Sequence, residues 1–88
     1  MGKIVEHKNV DRFIQLGIAV AALRKIRGLS QEDLAEKANI GRSHLANIES
    51  PNLAYNFTLN TLFNIADALD VPPEKLIAAS IFPDDMLK

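Results

Sequence analysis

At 88 residues, 48% of them hydrophobic, the chain has room for one small domain with one modest core and is too apolar to stay disordered. It holds no cysteine, which excludes disulfides and thiolate metal sites and suits a reducing cytoplasm, and its apolar run LGIAVAAL is far shorter than a bilayer span. A net charge of −1 speaks against a strongly basic nucleic-acid binder, yet residues 1–31 hold six Lys/Arg against two Asp/Glu and residues 32–88 hold four against nine, so a local positive face stays open.

Residues 1–10 lack periodicity and are expected to form a flexible N-terminal arm. The start, MGKIVE, has no Ser or Thr at its sixth position, which argues against myristoylation. Asp11 can cap a long helix reaching Arg27, with Phe13, Leu16, Val20, Leu23 and Ile26 as its buried stripe. The apolar run inside it begins late and is followed at once by RKIR, so it reads as core helix rather than signal segment. Ser30 then offers a hydroxyl to the free N–H groups of a second helix, Gln31 to Ala38, whose Leu34, Ala35 and Ala38 share one face. Asn39 tolerates a left-handed backbone and can end that helix. Gly41 loosens the chain before a third helix, Arg42 to Glu49, with Leu45 and Ile48 pointing one way and Arg42, Ser43, His44 and Asn47 the other.

Pro51, Asn52 and Asn56 mark the loop from Pro51 to Phe57. Thr58 caps a fourth helix, Leu59 to Leu69, with Leu59, Leu62, Phe63, Ala66 and Leu69 inward; Asp70 follows and Pro72 stops it. Pro73 suits the first turn of a fifth helix ending near Ala79, with Leu76 and Ile77 as core contacts. Residues 80–88 are an apolar tail broken by Pro83. The expectation is an all-α, five-helix domain over residues 11–79, without internal repeat.

The stretch Gly28 to Ser50 resembles the helix-turn-helix of the lambda-repressor-like, Cro/CI-type (XRE) transcriptional regulators. Small Ala35 and apolar Leu34, Ala38, Ile40, Leu45 and Ile48 stand at the matching places, with the motif at residues 31–50. The flanks LRKIRGLSQ and TLFNIADALDVPPEKL extend the likeness to residues 12–78. Asn39 and Ser50 stand where glycine is common, and the segment from Pro51 to Phe57 is long. The resemblance implies a compact five-helix DNA-binding fold.

The polar face of the third helix is the expected base-reading surface. Side chains near the N-terminus of such a helix meet base edges in the major groove. Arg42 can hold guanine through two donors and Asn47 can pair with adenine likewise, each worth about 1–3 kcal/mol of discrimination. Ser43 and His44 suit base or phosphate. The competing reading is a solvated polar face on a core helix. Gln31 begins the second helix, where its amide and the free N–H groups could hold a phosphate; the resemblance adds that this glutamine braces a base-reading side chain. Ser50, Asn52 and Asn56 are candidate phosphate contacts or ordinary solvated loop residues. The resemblance further implies a partly buried salt bridge between Arg24 and Glu49, with Arg24 also near a phosphate. Lys25 and Arg27 either feed the positive field or are simply solvated.

Catalysis has little support. Ser43 and His44 are adjacent and splay apart on a helix, and Glu32 and Glu36 share an exposed face with Lys37. No metal cluster, glycine-rich phosphate loop or cofactor motif stands out, so none is expected. One recognition helix reads few base pairs, and relatives act as homodimers on palindromic sites with half-sites roughly 34 Å apart. Ile77, Ile81, Phe82, Met86 and Leu87 are candidates for that contact, or else cover the monomer's own core. Two other functions share this pattern: the antitoxin of a toxin–antitoxin pair, with a toxin as partner, and a protein-binding module without DNA contact. A restriction-system controller is a subtype of the main reading. Bacterial or phage origin, cytoplasm and nucleoid are the expected setting, without membrane.

Overall fold

The computed structural model describes residues 5–80. A 3-10 turn at His7–Asn9 leads straight into helix α1 (Val10–Ile26), followed by α2 (Gln31–Ala38), α3 (Arg42–Glu49), α4 (Leu59–Ala68) and α5 (Pro73–Ala79). The expected five helices are all present. No helix among the described residues is long and apolar enough to cross a membrane.

The N-terminal boundary differs from expectation. Residues 7–10, assigned to the arm, are helical, and Asn9 rather than Asp11 occupies the cap position. Asn9 makes no side-chain cap; its Oδ1 instead accepts from Arg12 Nη1 at 2.9 Å.

Three helices end in one manner. Gly28 (φ 73°), Asn39 (φ 58°) and Asp70 (φ 58°) follow α1, α2 and α4 in the left-handed region. After each, the next N–H reaches back five residues: Leu29 to Arg24 O, Ile40 to Ala35 O and Val71 to Ala66 O, all at 3.0 Å. Each of those next residues is apolar and packs on the core, so one motif both satisfies helix-end carbonyls and directs the chain inward. Asn39 is the terminator expected. Arg27, read as field or solvated charge, also closes a helix: its Nε donates to Leu69 O at 2.8 Å and its Nη2 to Asp70 O at 3.2 Å. That ties the end of α1 to the end of α4, where carbonyls lack helical partners and a cation is favoured.

At the starts, Ser30 accepts from Asp33 N at 3.0 Å while Asp33 Oδ2 accepts from Ser30 N at 3.1 Å, a reciprocal box at α2. Thr58 caps α4 by accepting from Thr61 N at 3.1 Å. Pro73 opens α5 at its first turn.

Val20, Leu34, Ala35, Ala38, Leu45, Ile48, Leu62, Ile65, Ala66, Leu69 and Leu76 form the buried core. Four residues expected inside are not. Ile26 is 75% exposed, Leu59 64%, Phe63 47% and Ile77 45%. Ile26 lies six positions beyond Val20, about 120° around the helix from it, so the stripe has turned away by then. On α4 the inner face runs through Thr61, Leu62, Ile65 and Ala66, which leaves Leu59 and Phe63 on its flank. Leu76 alone fills the core place on α5. In α1 the buried positions include two small ones, Gly17 and Ala19. A methyl group on Gly17 would collide with the Ile48 carbonyl oxygen, so this glycine lets α1 lie directly against the backbone of α3.

Candidate nucleic-acid interface

Helix α3 is divided cleanly. Leu45, Ile48 and Glu49 are buried; Arg42 and Ser43 are exposed, and His44 and Asn47 are half-buried. Apolar spacing at three residues produces that division, because Leu45 and Ile48 turn the same face to α1 and α2. Gly41 precedes α3 in extended conformation and no side chain caps the helix, so its first-turn N–H groups have no intrahelical acceptor. Arg42, Ser43, His44 and Asn47 thus share one accessible surface.

His44 has a neighbour that the sequence reading did not single out. Its ring meets Tyr55 edge-on, with centroids 5.5 Å apart. Tyr55 and Phe57 anchor the loop after α3 against the core, and Phe57 makes a second edge contact with Phe13 at 5.4 Å. Two aromatic residues two positions apart in the loop were the available signal. Within that loop, Ser50 Oγ accepts from Asn52 N at 3.3 Å, a local turn that holds Asn52 at the surface. Asn56 is half-buried.

Beneath this surface lies a buried ionic cluster. Glu49 is 6% exposed. Its Oε2 accepts from Arg24 Nε at 2.8 Å, and its Oε1 accepts from Arg24 Nη2 at 3.0 Å and from Gln31 Nε2 at 3.0 Å. Arg24 Nη1 donates to Leu29 O at 2.8 Å. The guanidinium therefore grips the carboxylate in a planar, two-point fashion. With 11% of its side chain exposed, Arg24 offers a phosphate only an edge. Gln31 is half-buried at the first position of α2. Its amide nitrogen braces Glu49 and keeps a second N–H for another acceptor. The cluster joins the end of α1, the start of α2 and the end of α3.

Asp33, opposite in α2's cap, is held below the usual carboxylate value of 3.8, chiefly by the Ser30 backbone N–H, then by the Ser30 hydroxyl, with Lys37 adding a smaller attraction against slight desolvation. Among the described residues, no three His, Asp or Glu side chains come together as metal ligands. Of the five residues expected between copies, Ile77 is exposed on α5; Ile81, Phe82, Met86 and Leu87 lie outside the described residues.

A helix-turn-helix family profile matches residues 20–76. The chain is 44% identical over 62 residues to the immunity repressor protein of Bacillus phage phi105, a match covering 70% of this chain and 42% of that protein. The chain thus spans well under half the length of that curated relative. Among solved structures it is similar to the restriction-modification controller protein C.AhdI from Aeromonas hydrophila, at 33% identity and a TM-score of 0.67, covering 73% of this chain and 94% of the other. It is also similar to the wild-type restriction-modification controller protein C.Esp1396I, at 26% identity and a TM-score of 0.72, covering 86% and 94%. Helix α3 with its polar outer face, the turn through Asn39 and these likenesses agree: the chain belongs to the helix-turn-helix family, in its lambda-repressor-like, Cro/CI-type branch.

Proposed function

We propose that the chain is a sequence-specific regulator of transcription that binds double-stranded DNA as a homodimer on a palindromic operator, with α3 in the major groove. The observation that carries this reading is the division of α3, which leaves Arg42 and Ser43 exposed and Asn47 and His44 half-open on one face. Arg42 reads guanine and Asn47 adenine, while Ser43 and the Tyr55-braced His44 contact a base edge or the adjoining phosphate. The second N–H of Gln31 meets a phosphate at the start of α2, and Ser50, Asn52 and Asn56 flank the same strand. The binding domain runs from α1 to α5, residues 10–79, with its motif at 31–50. Likeness to an immunity repressor and to controller proteins supports control of transcription, in a bacterial or phage setting.

Sedimentation at micromolar concentration, combined with a mobility shift over a salt series on DNA selected from a random pool, tests the reading. Two protein copies per duplex are expected, with affinity rising steeply as salt falls, because each neutralised phosphate releases counterions. A chain that stays monomeric on DNA, or that shifts no DNA at low salt, contradicts it.

A further inference from the structure

His44 lies in the first turn of α3, where side chains of a recognition helix come nearest to base edges. It is half-buried, and the Tyr55 ring stands against its ring with centroids 5.5 Å apart and 65° between the planes. That is the edge-on arrangement that aromatic pairs favour. Tyr55 is held in turn. It packs on the core, as does Phe57 two residues on. Phe57 meets Phe13 of α1 edge-on at 5.4 Å, and Thr58, next in the chain, caps α4. The loop after α3 therefore carries its tyrosine on a fixed mount, well outside the helix that holds the histidine.

We propose that Tyr55 is a positioning residue of the DNA-reading surface: it fixes the ring of His44 so that His44 reads a base edge, which makes the loop after α3 a determinant of operator preference. This rests on α3 entering the major groove. A neutral imidazole carries one N–H donor and one nitrogen acceptor. Hydrogen bonds are directional, so such a ring separates one base edge from another only when its plane is set. A phosphate contact carries no sequence information and makes no such demand. An unsupported histidine on an accessible helix face moves among staggered rotamers, and DNA would then have to order it. The contact with Tyr55 restricts that choice before DNA arrives, as a supporting side chain does for a group that must keep one geometry. The pair thus suits reading of a base more than attachment to the backbone.

Selection of bound sequences from a random DNA pool tests this, run on the full wild-type chain, His44→Ala, Tyr55→Phe, Tyr55→Leu and the double variant His44→Ala/Tyr55→Leu. Tyr55→Leu keeps an apolar side chain on the core without the ring, whereas Tyr55→Phe keeps the ring. His44→Ala should reduce the preference for the favoured base about fivefold or more at one position in each half-site. Tyr55→Leu should reduce it at that same position and at no other, and Tyr55→Phe should retain it. The double variant should lose no more there than His44→Ala alone, because the tyrosine acts only through the histidine. In the free wild-type protein, nuclear Overhauser contacts between the two rings are expected, a readout that needs no variant to fold. The proposal is overturned by absent ring contacts, by an unchanged consensus in His44→Ala or Tyr55→Leu, by uniform weakening on all sequences in Tyr55→Leu, or by a Tyr55→Phe chain that behaves as Tyr55→Leu does. A wild-type chain that selects no consensus overturns the DNA-reading function and this proposal with it; a wild-type consensus that Tyr55→Leu leaves untouched overturns the proposal alone.

Discussion

Glu49 ties three helices together at a single side chain. It is a buried anion that three N–H donors from Arg24 and Gln31 satisfy. Glu49→Ala leaves the Arg24 guanidinium without its partner, so a loss of about 3–5 kcal/mol is expected in denaturant unfolding; an unchanged midpoint would show that the pair carries little of the fold. The sequence held the outline of this cluster, since an arginine and a glutamate at these two places belong to the family pattern. It did not hold the Gln31 bond to Glu49, because no spacing rule connects residues in different helices. Asp33 allows a second test. Its lowered pKa, caused first by the Ser30 N–H, means that its contribution is complete above the ordinary carboxylate range and fades as pH falls through 3.8. The stability gap between the wild-type chain and Asp33→Asn should therefore shrink on acidification towards pH 3, as followed by thermal unfolding. A gap that is constant with pH would mean the charge is irrelevant to the cap.

At the scale of elements, the decisive contact is between α1 and α3. Gly17 has no Cβ where one would strike the Ile48 carbonyl oxygen. Gly17→Ala raises helix propensity by about 0.5–1 kcal/mol, yet it must push α1 away from α3. The clash is with backbone, which cannot swing aside, so overpacking should win with a net loss of about 1–3 kcal/mol. It should also weaken DNA binding, because the outer face of α3 moves with its backbone. Equal or higher stability of Gly17→Ala by chemical denaturation would contradict the close packing. Helix positions were legible because Ser30, Thr58, Pro73 and Asn39 are strong local signals whose chemistry acts within a few residues. Which flank of a helix finds a neighbour was not. Leu59, Phe63 and Ile77 are apolar and periodic, but a tertiary arrangement decides whether another element covers them. Arg27 was unreadable for the same reason: its acceptors, Leu69 O and Asp70 O, are 42 and 43 residues away in the chain.

For the whole molecule, a net charge of −1 is no barrier to binding DNA, because the field at one face matters rather than the sum. The first 31 residues are basic on balance, and Arg42, the single Lys/Arg of α3, is exposed. The ionic cluster at Glu49 joins α1, α2 and α3, which is how a small core can hold the outer side of α3 in a fixed position. The central claim is that this surface reads bases through Arg42. Selection of bound sequences from a random DNA pool, run in parallel with the wild-type chain and Arg42→Ala, tests it most directly. The account predicts that Arg42→Ala keeps the same operator but loses a guanine preference at one position in each half-site, about 1–3 kcal/mol there. An identical consensus from both proteins, with the same preference at every position, would contradict it.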